Sequence, residues 1–271
     1  MKTKHIFSAA ILLFTFAVIQ TGCRKNDREE QTDVTCARDN ADAQTAFAGV
    51  WRMVGEIVDS TSQLRISSCA TITLSNTDTV TWPKTLTIDF GTTNCLCADG
   101  NYRRGIITAI FTGKYRTPGT NITISLSNYY HNDNKVQGTQ TIINNGTNTS
   151  GNLTFNVVVN NGMVTTPNGN ITWSTNQTRE WVAGASTTLN PWDDVYLITG
   201  SANGTGTNGN TYTLIVNSPL RVELGCKFIT SGNLTVTPSN YAPITFDYGS
   251  GACDNKAKAT LAGKDYDITL L

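Results

Sequence analysis

A five-residue box occurs twice in this chain, and each copy runs on to a cysteine. Thr87-Ile88-Asp89-Phe90-Gly91 leads to Cys95, and Thr245-Phe246-Asp247-Tyr248-Gly249 leads to Cys253. In both copies the cysteine follows the aspartate by six residues; upstream, Cys69 precedes Asp89 by 20 residues and Cys226 precedes Asp247 by 21. Agreement in residue type and spacing at four points implies an internal duplication, two related β units in one chain. Equivalent cysteines should pair alike, so the expected disulfides are Cys69–Cys95 and Cys226–Cys253. Each aspartate precedes a glycine and a short loop, where its carboxylate can accept from backbone N–H groups and fix the turn.

Around the boxes the hydrophobic period is two. Leu86, Ile88 and Phe90 alternate with polar residues, as do Ile122, Ile124 and Leu126, then Leu153, Phe155, Val157 and Val159, then Tyr212, Leu214 and Val216, and finally Tyr266, Ile268 and Leu270. Each run reads as a strand with one buried face. Turn signals such as Pro118-Gly119, Asn161-Gly162, Asn208-Gly209 and Ala262-Gly263 separate them. Strands this closely spaced, without crossover helices, pair antiparallel. A second echo, Gly138-Thr139 before Gly169 and Gly200-Ser201 before Gly232, falls at a different offset and supports an irregular duplication. The expected fold is all-β: a long antiparallel meander forming a strongly curved sheet, closed as a barrel or folded as a sandwich. One N-terminal amphipathic helix should pack on it. Over residues 39–60, Phe47, Val50, Trp51, Val54 and Ile57 or Val58 recur at three- and four-residue steps, with Asp39 or Asn40 as the cap and Asp59-Ser60 as the end.

The N-terminus reads as an address. Lys2 and Lys4 precede a short apolar run from Ile6 to Ile19, which ends at Gln20-Thr21-Gly22-Cys23. The run is short for a membrane span and suits a signal-peptide core. A small residue and then cysteine directly behind such a core resembles the lipobox of bacterial lipoproteins, with Gln20 and Thr21 giving a relaxed, Bacteroidetes-type form. That resemblance implies a signal peptide over 1–22, lipidation of Cys23, a charged tether over 23–38 and an outer-membrane address on the periplasmic or cell-surface face. The boxes, the N-terminal cysteine and helix, and Gly138-Thr139 together resemble a family of uncharacterised Bacteroidetes-type envelope lipoproteins over most of residues 36–271. No activity or ligand accompanies that resemblance.

The chain has 20 basic and 20 acidic residues, and losing Lys2 and Lys4 with the leader leaves a net charge of −2. Nucleic-acid binding, which needs a basic excess, is not indicated. With Cys23 lipidated, the remaining pair is Cys36–Cys97, expected to clip the helix entry to the loop after the first box. No cofactor or metal is expected: zinc takes four Cys or His ligands, and the mature chain has one histidine, His131. His131 has no evident catalytic partner in the sequence, and Asp99-Gly100 and Asn132-Asp133-Asn134 read as turns. Trp181 and Trp192, with Glu180, Asp193 and Asp194 beside them, are candidate ligand contacts, because aromatics next to carboxylates can stack on a sugar ring. The stapled β domain covers 61–271. The expected role is a lipid-anchored envelope module that binds or builds, with carbohydrate or an envelope protein as partner. The competing reading is an envelope hydrolase or carbohydrate-processing enzyme with Asp89, Asp247 or the Trp181–Trp192 region in its cleft.

Overall fold

The computed structural model describes residues 34–59, 70–78, 80–187 and 190–270. One helix, α1 (Thr35–Asp59), precedes fourteen strands: β1 (Thr71–Leu74), β2 (Lys84–Asp89), β3 (Cys95–Leu96), β4 (Tyr102–Phe111), β5 (Asn121–His131), β6 (Asn134–Thr147), β7 (Leu153–Thr166), β8 (Gly169–Ala183), β9 (Val195–Thr205), β10 (Thr211–Glu223), β11 (Ile229–Pro238), β12 (Ile244–Ser250), β13 (Lys256–Leu261) and β14 (Lys264–Thr269). Thirteen of them form one antiparallel sheet in chain order, with β3 as a side branch on β4. This is the predicted meander: apart from β3, each strand pairs with the next, most of them across a short connection.

The sheet is strongly curled, and α1 shows why it must be. Gly49 lies against His131 and Arg103, on β5 and β4. Phe47 stacks on Trp173 of β8 at 5.4 Å. Asp39 accepts from the backbone N–H of Thr207 at 2.6 Å, in the β9–β10 turn. Arg52 donates to the Cys226 carbonyl at 3.0 Å, ahead of β11. In a flat sheet β4 and β11 would lie roughly 35 Å apart, at about 4.8 Å per strand. A helix only ~10 Å across touches both sides, so the sheet wraps around it. The sheet remains open, with β1 and β14 as its edges among the described residues, so the closed-barrel alternative is not realised. Both edge strands are mostly exposed, and β14 carries Lys264, Asp265 and Asp267; charges of this kind discourage further strand pairing.

The bend is produced by bulges. Register shifts interrupt β4–β5 at Arg104/Ile106, β6–β7 at Gln137/Thr139, β7–β8 at Val159/Gly162, β9–β10 at Ile215/Leu220 and β11–β12 at Ser231/Asn233. Each inserts residues on one strand and increases local twist and bend. The second sequence echo falls here. Gly200 has φ +123°, and a Cβ on it would lie 2.4 Å from the Asn176 carbonyl oxygen; at Gly232, with φ +103°, the clash is 2.3 Å from the Pro219 oxygen. At Gly138, Gly200 and Gly232 the echo therefore marks positions where neighbouring strands approach too closely for any side chain, whereas an added Cβ at Gly169 would meet nothing nearer than 3.5 Å.

The two boxes occupy like positions near opposite ends of the meander. Leu86, Ile88 and Phe90 point inward, as do Ile244, Phe246 and Tyr248. Asp89 Oδ1 accepts from the Gly91 N–H at 2.8 Å, and Asp247 Oδ1 from the Gly249 N–H at 2.7 Å. Cys226 and Cys253 are disulfide-bonded, with Cα atoms 5.8 Å apart, inside the range a bridge allows. Cys95 is also disulfide-bonded; Cys69, like Cys23, lies outside the described residues. The Cys36–Cys97 bridge is not formed: both are buried thiols. Cys36 sits against Asn208 and the Asn210 carbonyl, each 3.8 Å from Sγ, whereas Cys97 Sγ lies 3.7 Å from the Cys95 carbonyl. The helix entry docks on the β9–β10 turn and not on the loop after the first box.

α1 starts at Thr35, ahead of the expected 39. Asp39 and Asn40 do not cap it. Their side chains are committed to the sheet, Asp39 to Thr207 and Asn40 to the Trp173 indole N–H at 2.9 Å. Nor does the helix bury a single stripe. Ala41, Ala43, Gln44 and Ala46 are buried with Phe47, Val50, Trp51, Met53 and Val54, while Arg38 alone is exposed between residues 35 and 55. Surrounded by the sheet, α1 forms the core of the molecule.

Candidate functional site

Along most strands the inward face is largely apolar, and β8 departs from this with a polar run of three. Its inward positions read Ile171, Trp173, Thr175, Gln177, Arg179 and Trp181, so three polar residues sit in the middle of the buried phase. The register places Gln140 of β6 across Val159 of β7 from Thr175. Gln44 of α1 faces the same space. Between them is a cavity of about 70 Å³, bounded also by Val157 and Val159, which extends to Asp99, Asn101 and His131 and to the half-exposed side of α1 at Thr45, Ala48 and Arg52.

The polar groups of this cavity divide into two sets. At the β4–β5 end the ions are matched. Arg103 is fully buried and makes two 2.7 Å bonds to Asp99, from Nη1 to Oδ1 and from Nη2 to Oδ2. Asn101 Nδ2 adds a bond to Asp99 at 2.9 Å, and Asn132 Nδ2 in turn donates to Asn101 at 2.9 Å. Burial pushes the Asp99 carboxyl up, but Arg103 and Asn101 outweigh it and hold the group well below the usual carboxylate range. Burial likewise works against the Arg103 charge, and the hydrogen bonds to Asp99 more than restore it. Tyr129, fully buried beside them, is raised by burial to about 12. Asp99 is thus the counter-ion of a buried arginine, more than the turn residue its Asp-Gly context suggests.

His131 lies at the same end. Burial, with the Arg103 charge second, pushes its imidazole down to about 3. It is therefore neutral at every ordinary pH, and its Nε2 has no hydrogen-bond partner. The unfolded chain binds a proton here below about pH 6.5, and the native chain does not until near pH 3. The stability this provides is complete above about 6.5 and is lost as pH falls toward 3, by up to about 3–5 kcal/mol. Asp42 acts in the opposite sense. Burial and the neighbouring Asp39 charge raise it to about 6, so its contribution is present below about pH 4 and is lost as pH rises through 6. Urea denaturation at pH 7, 5 and 4 should show a net loss on acidification, with a shallower slope in His131→Gln. Equal slopes in the two proteins would contradict the assignment to His131.

At the β8 end the charge is unmatched. Arg179 is 6% exposed, with Trp51 at 5.2 Å and Tyr196 at 5.7 Å from its guanidinium carbon. Among the described residues it forms no ion pair, and Nη1 has no hydrogen-bond partner. Burial depresses its pKa, and the phenols of Tyr115 and Tyr196 act in the opposite direction. Gln44 Nε2 and Oε1, Gln140 Oε1 and Gln177 Nε2 are buried without partners as well.

The residues singled out in the sequence are not brought together here. Asp89 and Asp247 point outward, each bonded to its own turn, with β4 to β11 between their strands. Trp181 is 1% exposed: it stacks on Tyr196 at 5.4 Å and donates to Asp194 at 3.2 Å, so it cannot present a ring to a ligand in solvent. Trp192 is half-buried in a single 3₁₀ turn, Pro191–Asp193. Glu180 instead binds Asn148 and Asn152 at 2.8 Å each. Among the described residues no group of three or more His, Cys, Asp or Glu is placed to hold a metal. The polar run Thr175, Gln177, Arg179 is hard to read from sequence because it interrupts the apolar alternation that identifies a strand. Its signal is a two-residue spacing of polar residues between Trp173 and Trp181. Compared with family models, curated proteins and solved structures, the chain matches none.

Proposed function

We propose that this chain is a lipid-anchored envelope protein, a β module held to the outer membrane through Cys23, whose role is to bind and not to catalyse. The observation that carries this reading is the N-terminal segment ending in Gly22-Cys23. The disulfides at Cys226–Cys253 and at Cys95 support it, since such bonds persist in oxidising compartments outside the cytoplasm. A binding role is favoured by the cavity beside α1, which is lined in part by buried polar side chains without partners. Its partners are the membrane, through the anchor, and a ligand or envelope component taken up by the β domain.

Cys23→Ala should release the protein from the membrane fraction into the soluble envelope fraction. The reason is the loss of the acyl chains, each buried CH₂ contributing about 0.8 kcal/mol. Fractionation of cells expressing either form tests this. A variant that stays with the outer membrane would refute the anchor.

A further inference from the structure

We propose that the cavity between α1 and β8 is a binding site for a small monovalent oxyanion, of the size and shape of formate, acetate or nitrate, with Arg179 as its cationic partner. This names a ligand class for the binding role above, but it does not depend on the anchor: membrane release tests one, anion response the other.

The argument starts from charge. Arg179 is buried, and arginine cannot shed its proton near neutral pH. An isolated buried cation is strongly unfavourable, so it needs a counter-charge. Asp99 cannot serve, because its single charge is already matched by Arg103. Water could satisfy the amides of Gln44, Gln140 and Gln177 but cannot neutralise the guanidinium. A monovalent anion neutralises the guanidinium and accepts from the unpartnered donors, Gln44 Nε2 and Gln177 Nε2, while the Gln44 and Gln140 oxygens are acceptors that water serves.

Shape and size narrow the class. A guanidinium edge presents parallel N–H groups that match two oxygens of a planar anion. Trp51 and Tyr196 lie beside the guanidinium, while Nη1 and Gln177 Nε2 remain as donors without partners. The cavity, about 70 Å³, holds a few heavy atoms. Its extension to Thr45 and Ala48, on the half-exposed side of α1, gives a route in.

The test is thermal unfolding of the purified full-length protein at fixed ionic strength, exchanging sodium gluconate for sodium formate, acetate or nitrate. Gluconate is a monovalent carboxylate too large for the cavity. The expected result is a saturable rise in Tm of about 5 °C with the small anions and none with gluconate. A preference among formate, acetate and nitrate separates a carboxylate site from a general oxyanion site. Arg179→Met, which keeps the volume and removes the charge, should weaken the response about 100-fold. If that variant does not fold, Gln177→Leu replaces it, and a weakened response supports the site. The proposal is overturned if small anions and gluconate act alike on the native protein, or if the folded variant responds as the native chain does.

Discussion

Asp99→Asn should lower the folding free energy by about 3–5 kcal/mol, because it strips a fully buried arginine of its counter-ion. Arg103 is 0% exposed and both of its terminal nitrogens are bonded to Asp99. An asparagine retains one acceptor oxygen, loses the charge, and turns its amide toward a cation. Arg103 cannot reach water to compensate, since it lies under α1 at Gly49. A paired replacement, Arg103→Met with Asp99→Leu, removes both charges at once and should recover most of the loss, because a matched apolar pair carries no desolvation cost. Urea unfolding of the single and double variants measures the coupling. A single-variant cost below about 1 kcal/mol would mean that the ion pair is not the support described here. A double variant no better than the single would assign the loss to packing and not to charge.

Gly200→Ala should be nearly as damaging, at about 3–5 kcal/mol, although it adds one methyl group. At φ +123° alanine is strained by roughly 1–3 kcal/mol. The added Cβ also meets the Asn176 oxygen at 2.4 Å and the Gln177 Cα at 2.8 Å, both main-chain atoms of β8 that cannot rotate away. Relief requires β8 and β9 to separate, and β8 carries Gln177 and Arg179 into the cavity. Gly249→Ala is the matched control. Its φ of +89° also disfavours alanine, but nothing lies within 4 Å of the added atom, so it should cost only about 1–2 kcal/mol. Equal costs at the two positions would show that backbone strain alone, without the close strand approach, sets the penalty. Circular dichroism melts of the two variants decide between these outcomes.

What the sequence determined by itself was the set of local and pairwise rules. Period-two alternation named strands such as Leu153–Val159, and the short Gly- and Asn-rich turns left antiparallel neighbours as the available pairing. The repeated box fixed equivalent turns at Asp89 and Asp247 and placed Cys226 opposite Cys253, since residue type and spacing are inherited together in a duplication. Tertiary structure decided everything that depends on residues meeting across the curl. Ala41, Ala43 and Gln44 look like the polar side of a helix and are buried because the sheet wraps α1 on nearly every side. Cys36 and Cys97 are left as separate thiols because the helix entry docks on the turn at Asn208. Trp181 is core because Tyr115, Tyr196 and Asp194 converge on it. The cavity was hidden for the same reason: Gln44, Gln140, Gln177 and Arg179 are scattered over 135 residues of chain. A buried charge without a partner is a property of three-dimensional neighbours, and no window along the sequence contains them.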